Sequence, residues 1–323
     1  MSVEVIKPGL LSSLQDAGRR GYAQLGLGRA GAVDEPARRL ANALVGNHGD
    51  EAALEITLAG PTLRFQHDAV LALTGGLIEA RVEGQTLPAW TSCFVPAGSV
   101  LRLGGMRHGC RSYLAVRGGF EIVPLLGSRS SDLHAGIGGA LRSGDLIGIG
   151  EHAAARWFQP GREWQALRWG LDPRPWLDYA RAPLGLMRGH HFDALDEASQ
   201  QALFAQRFML SKDSNRTGSR LEGTPLRLRQ PLELISEATL PGTLQLPPSG
   251  QPIALMAEAP VTGGYPRIGQ LAAADMPRLA QRRPGDTVSF REISLDEALQ
   301  RLAERKSSLQ RLLQRIEQRL ESA

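Results

Sequence analysis

Three stretches of this chain gather charge, hydroxyls and glycine closely enough to do chemistry. Gln15-Asp16-Ala17-Gly18-Arg19-Arg20-Gly21-Tyr22 places an amide, a carboxylate, two guanidiniums and a phenol within eight residues. Such a set can recognise a small polar substrate. Equally, Asp16 beside Arg19 can be a surface ion pair worth under about 1 kcal/mol. Residues 213–223 repeat the theme with Ser214, Asn215, Arg216 and Arg220 among glycines. Turn N–H groups and guanidinium forks suit carboxylate or phosphate groups. The plainer reading is a solvated turn held by Asx-type hydrogen bonds. The third stretch is Thr262-Gly263-Gly264-Tyr265-Pro266. Paired glycines permit positive φ and close approach by a ligand. Pro266 restricts Tyr265 to extended backbone, which holds its phenol on the loop. An ordinary hairpin turn would carry the same signature. Glu55 adds a carboxylate inside an apolar strand, pointing outward by alternation or inward with a partner.

The elements that must position these groups read mostly as strands. Apolar runs at 53–58, 69–74, 78–82, 93–95, 100–103 and 112–115 are separated by turn signals. Those signals include Gly75-Gly76, Pro96-Ala97-Gly98 and Gly104-Gly105. This spacing predicts a barrel or sandwich and not βαβ units. The glycine-rich segment 117–148 lacks the Gly-Lys-Ser/Thr of a phosphate loop and opens no βαβ helix, so it is not a nucleotide fingerprint. Asp34 with Pro36 predicts a capped helix whose apolar face is Ala37, Leu40, Ala41, Leu44 and Val45. Arg38, Arg39 and Asn42 fall on its other, solvated face. Further strands are expected at 184–187, 207–211, 232–236, 242–246 and 253–257, and a helix at 194–205 capped by Asp193. Leu295, Leu299, Leu302, Lys306, Leu309, Leu313, Ile316 and Leu320 form a heptad seam. That seam packs either on this chain or on another one, which makes a homo-oligomer one expectation. The domain reading is 1–150, a Trp/Pro/Arg-rich linker at 151–183 (Trp157, Trp164, Trp169, Trp176), 184–294, and a helix at 295–323.

Composition bounds the function classes. The 323 residues, 42% hydrophobic and 22% charged, suit a globular protein of two domains. Lysine occurs only at Lys7, Lys212 and Lys306, so the net charge of +4 rests on arginine. The basic residues are dispersed and not interleaved with aromatics, which argues against nucleic acid. No apolar run is long enough to span a bilayer. The first residues lack a signal-peptide pattern, so a cytoplasmic location is expected. Cys93 and Cys110 make neither a disulfide framework nor a metal site.

Several stretches together resemble one family. They are Pro8-Gly9-Leu10, Gln15-Asp16-Ala17-Gly18-Arg19, Gly31-Ala32-Val33-Asp34 and Ala41-Asn42-Ala43-Leu44-Val45-Gly46-Asn47. Leu54-Glu55, Gly127-Ser128-Arg129-Ser130, Ser214-Asn215-Arg216-Thr217-Gly218, Gln245 and Thr262-Gly263-Gly264-Tyr265-Pro266 continue the series. The set is similar to the C-type subunits of bacterial ATP-dependent 5-oxoprolinases, the KipA-like group. That group is related to the second allophanate-hydrolase subunit and to biotin-dependent carboxyltransferase regions. The resemblance implies a mainly β fold of two cyclophilin-like β-barrel domains with few short helices. It implies ATP-driven opening of 5-oxo-L-proline to L-glutamate with a B-type (KipI-like) and an A-type (LamB/YcsF-like) subunit. ATP with Mg²⁺ would be bound by the complex. Alternatives are a carboxyltransferase using carboxybiotin on another protein, acting on urea or a related amide, and a regulatory partner of a KipI-type protein. It implies catalytic roles for Asp16, Arg19, Arg216 and Tyr265. It implies substrate contacts from Gln15, Tyr22, Asp34, Glu55, Ser214, Asn215, Arg220, Gln245, Thr262, Gly263 and Gly264. Asp16, Asp34 or Glu55 could offer oxygen ligands to Mg²⁺. The chain departs from the family at Pro260-Val261, where glutamine and threonine are usual, and lacks a usual Gly-Arg near Gly139-Ala140-Leu141.

Overall fold

The computed structural model describes residues 1–152, 155–159, 161, 163–177 and 183–322. The protein is mainly β, with 34% strand against 20% helix. Its chain divides into two compact units. One takes Met1–Gly18, Asp34–Leu177 and Leu309–Ala323; the other takes Arg19–Val33 and Asp178–Ser308. Within the segment read as a linker, residues 153, 154, 160, 162 and 178–182 and the side chain of Trp176 lie outside the described residues. Trp157, Trp164 and Trp169 all belong to the first unit. There Trp164 packs on the core and donates its Nε1–H to Gln85 Oε1 at 3.1 Å.

The first unit is built on two long antiparallel strands, Ala69–Val82 and Val100–Val116. Gly75-Gly76 and Gly104-Gly105, expected as turns, lie inside these strands. The register slips between Gly75 and Leu77 and again before Ala80. Gly75 takes φ +77°, which a glycine reaches without steric penalty. The glycines therefore bend a continuous ladder instead of ending it, as β-bulges do. Leu71, Leu73, Leu101, Leu114 and Val116 from these strands pack with Val3, Val5, Leu54 and Phe65 into one apolar core.

The Glu35–Leu44 helix starts where the capping signal places it. Asp34 Oδ1 accepts from Ala37 N at 3.2 Å, and Pro36 occupies the first turn. Its supposedly solvated face is not solvated: Arg38 and Asn42 are both fully buried. The Arg38 guanidinium donates to both Glu35 oxygens and to the carbonyls of Gly49 and Glu51. Asn42 Nδ2 donates to Glu51 O as well, at 2.9 Å. A buried cation is tolerable when its donors are this fully used. Replacing Arg38 by Met should orphan Gly49 O and leave Glu51 O with Asn42 alone, and lower stability by about 3 kcal/mol, read as a shift of the urea midpoint. An unchanged midpoint would mean that the loop after the helix finds other donors.

The second unit holds an eight-stranded sheet. Leu184–Arg188 pairs antiparallel with Arg267–Leu271 and parallel with Phe290–Glu292. Leu186, Phe208, Leu244, Ile268 and Phe290 form its core, and Val33 joins them. Two local expectations are corrected here. The second helix begins at Glu197, and its cap is Asp196, whose carboxylate accepts from Ser199 N at 2.7 Å; residues 192–194 form a separate 3-10 turn. Residues 232–236 are not a strand. The pairing falls instead at Glu237–Ala238, against Thr262–Gly263. Leu232 and Ile235 there are 38% and 89% exposed, so the segment after Pro231 buries no alternating face.

The C-terminal helix runs Leu295–Glu321. Leu309, Ile316 and Leu320 of its seam are buried, whereas Leu295 and Leu299 are 62% and 54% exposed. Ala298 takes the buried place, beside Ala272 and Ile293. A straight helix drifts about 20° per heptad from a 3.5-residue repeat. The inward face therefore leaves the leucine stripe toward the N-terminal end.

Candidate functional site

In the second unit the polar loop 213–218 is organised by its own side chains. Asn215 Oδ1 accepts from Thr217 N at 2.8 Å and from Gly218 N at 3.1 Å. Ser214 Oγ accepts from Arg220 N at 3.0 Å and so ties the loop to the Gly218–Glu222 strand. Ser214 and Asn215 thus shape the turn, and Arg220 is exposed on that strand. The turn aims Arg216 inward, where only 3% of it is exposed. Arg216 Nε meets Glu258 Oε1 at 2.6 Å, and its Nη2 donates to Gly31 O at 2.7 Å. The backbone doubles the link, because Glu258 N donates to Arg216 O at 2.9 Å. Arg216 therefore clamps two other segments, 258–259 and 19–33. Gly28 reports the same closeness: a Cβ there would lie 3.0 Å from Ala259 O.

In the same unit Gln245, paired on its strand with Ile253 and Arg267, is 5% exposed, and its Nε2 has no hydrogen-bond partner among the described residues. A buried amide donor left unused costs about 1–3 kcal/mol unless a ligand takes it up. Gly263 packs directly on that amide, since a Cβ there would stand 2.4 Å from Gln245 Nε2. Thr262, Gly264 and Tyr265 are exposed along the same loop, Tyr265 by 46%. Arg19, 2% exposed, and the half-buried Tyr22 belong to the 19–33 segment of this unit. Arg19, Tyr22, Arg216, Gln245 and the 262–265 loop all belong to one unit, within which Gly263 touches Gln245 and Arg216 holds the 19–33 segment through Gly31.

The remaining candidates lie in the first unit. Asp16 Oδ1 accepts from Ser128 Oγ at 2.6 Å, Ser130 Oγ at 2.5 Å and Gly18 N at 2.7 Å. Its Oδ2 accepts from Arg129 N at 2.6 Å. Burial by itself would raise the Asp16 pKa, but these four hydrogen bonds outweigh it and hold the carboxyl below 3.8. Gln15, fully buried, donates to Ser13 Oγ and to Ser131 O, and its Oε1 has no partner. Glu55 points inward and has its partners: Tyr113 Oη donates to it at 2.7 Å, and Arg111 Nε lies 3.7 Å away. Tyr113 Oη in turn accepts from Asp34 N at 2.7 Å. Desolvation, then the charges of Glu55 and Asp34, push the Tyr113 phenol well above its ordinary value. Burial likewise lifts the Cys93 thiol to about 12, which removes it as a nucleophile near neutral pH.

Asp16, Asp34 and Glu55 are therefore engaged by protein donors, not grouped around open space. Among the described residues no three His, Cys, Asp or Glu side chains form a set able to hold a metal ion. The sequence reading passed over Glu258 as a site residue, although it is the acidic residue preceding the glycine loop. It also gave no role to Ser128 and Ser130, whose alternating hydroxyls suit a carboxylate partner.

The family model described as "Carboxyltransferase domain, subdomain A and B" matches residues 25–292. The chain belongs to the carboxyltransferase-domain family. It is 41% identical to the C-type subunit of the Escherichia coli 5-oxoprolinase, over 92% of this chain and 93% of that one. It is 37% identical to the corresponding 5-oxoprolinase protein of Haemophilus influenzae, over 89% and 90%. The crystal structure of Kluyveromyces lactis urea amidolyase superposes with a TM-score of 0.83 at 27% identity, covering 98% of this chain and 20% of that longer chain. In this member of the carboxyltransferase-domain family, the departure at Pro260-Val261 is carried by backbone. Thr239 Oγ1 donates to Pro260 O at 2.5 Å, and Thr239 N donates to Val261 O at 2.9 Å. The loop is held whatever side chains stand at 260 and 261. Pro260→Gln with Val261→Thr should accordingly leave the melting temperature within about 2 °C. A larger fall would show that Pro260 itself shapes the loop.

Proposed function

We propose that this chain is the C-type subunit of an ATP-dependent 5-oxoprolinase and works with B-type and A-type partner subunits. The observation that carries the reading is the match to two such 5-oxoprolinase proteins over about nine-tenths of both chains. The site chemistry supports it. A five-membered lactam is a poor electrophile, and ATP makes its opening feasible by phosphorylating the amide oxygen. This chain's part is to hold the ring. Gln245 Nε2, buried and unpartnered, donates to the lactam oxygen or the substrate carboxylate. Gly263 leaves the amide uncovered by any side chain of its own. Tyr265 and Thr262 supply exposed hydroxyls at the same loop. Arg216, neutralised by Glu258, acts as a positioning residue for the 19–33 segment. Asp16, Asp34 and Glu55 do not fit a magnesium site, because their carboxylate oxygens already face hydrogen-bond donors. ATP and its Mg²⁺ therefore belong, in this reading, to a partner's surface.

Glutamate and ADP should appear together when the chain is mixed with both partners, 5-oxo-L-proline and ATP. Gln245→Leu should raise KM for 5-oxoproline about tenfold with the partners still bound. Wild-type KM in that variant would remove Gln245 from the site. A second reading is favoured by the urea amidolyase superposition: carboxyl transfer from carboxybiotin on another protein to a urea-like amide. Turnover that depends on a biotinylated carrier, and not on 5-oxoproline, would establish it instead.

A further inference from the structure

The first unit contains a cavity of about 770 Å³ that is lined by none of the candidate site residues. It lies between the C-terminal end of the Glu35–Leu44 helix, the Arg156-Trp157 turn and the last turns of the C-terminal helix. That volume suits a small organic molecule. Three guanidiniums line it, those of Arg39, Arg117 and Arg156, together with the carboxylates of Glu317 and Glu321. Arg117 serves the wall: it donates to Val45 O at 2.9 Å and lies over the Trp157 ring at 4.8 Å. The other four charges have no ion-pair partner among the described residues, although both signs line the same space.

Unpaired charges of both signs call for a ligand that carries both signs. A plain anion would leave the carboxylates unmatched, and a plain cation would leave the guanidiniums unmatched. The three guanidiniums of the lining exceed its two carboxylates by one positive charge. The complementary ligand has two carboxylates and one ammonium. The C-terminal end of the Leu295–Glu321 helix favours a cation nearby. Glu317 and Glu321 stand in the last turns of the C-terminal helix, where the ammonium belongs. Leu313 and Trp157 offer apolar wall for the methylenes between the charged groups.

We propose that this cavity binds a free acidic α-amino acid. Its carboxylates face Arg39 and Arg156, and its ammonium faces Glu317 and Glu321. The inference stands apart from the proposed activity, since it uses no residue of the second unit.

Calorimetric titration of the full chain with L-glutamate, L-aspartate and glutarate tests it. One of the two amino acids should bind with a Kd below about 1 mM, and glutarate, which lacks the ammonium, about tenfold more weakly. Arg156→Gln and Glu317→Gln should each weaken that binding about tenfold. Both side chains are exposed, so thermal melts should match the wild type. Gln245→Leu should bind the amino acid as the wild type does, which separates this cavity from the site in the other unit. No saturable binding up to about 10 mM, well above the weakest Kd expected, overturns the proposal. So does equal affinity for glutarate, or binding that survives both cavity variants and fails in Gln245→Leu.

Discussion

Arg216→Ala should lower coupled glutamate release by the assembled enzyme about 100-fold, the scale of a displaced binding segment. Two effects combine. The guanidinium joins the 213–218 turn to Glu258 and to Gly31 O, so its loss frees the 19–33 segment that carries Arg19 and Tyr22. It also leaves Glu258, 4% exposed, as an uncompensated buried charge. Breaking such a pair costs about 3–5 kcal/mol of stability. The two effects can be separated. Arg216→Ala with Glu258→Ala removes the stranded charge and should recover part of the lost stability while activity stays low. Arg216→Lys keeps the charge but loses the fork, and should fall between them. If the double variant recovers activity together with stability, Arg216 has no positioning role.

The second large effect lies at Asp16. Its carboxylate takes hydrogen bonds from two serine hydroxyls and two backbone N–H groups. Asp16→Ala should destabilise the protein by about 3 kcal/mol, because the N–H groups of Gly18 and Arg129 lose the acceptor they use. The pH dependence has a definite sign. A folded-state pKa held below 3.8 means that the unfolded chain binds a proton more readily. The contribution of Asp16 is therefore complete above pH 3.8 and is lost as pH falls through the lower, folded-state value. Asp16→Asn removes that titration. Urea midpoints measured from pH 6 down to about pH 3 should fall more steeply in the wild type than in Asp16→Asn. Parallel slopes would mean that Asp16 carries no such coupling.

Nothing in the 213–223 loop required the rest of the chain to be read correctly. Asn215 beside Thr217-Gly218 is an Asx turn by local chemistry, and the structure has it. The same holds for Asp34 and Pro36 at the start of their helix. Where a local signal had two spellings, the choice slipped by one turn. Asp193 and Asp196 both suit a cap, and Asp196 serves. The charged residues were harder. Arg38 and Asn42 fall on the polar side of a helical wheel, yet the carbonyls of Gly49 and Glu51 close over them. Leu295 and Leu299 keep a heptad register but point to solvent.

By itself, the sequence determined the mainly β character, the Asp34 cap and the Asx turn at Asn215. These depend on steric and hydrogen-bonding preferences among residues a few positions apart. The tertiary structure alone decided what each polar group does. Arg216 finds Glu258 and Gly31, Asp16 finds Ser128 and Ser130, and Glu55 finds Tyr113, all across long spans of chain. A buried charge is stable only with its partners in place, and those partners come from whichever strands the fold lays alongside. Gln245 is the counter-case: packing removes it from water, and among the described residues no group takes its Nε2 donor, which is the basis for proposing it as a ligand contact.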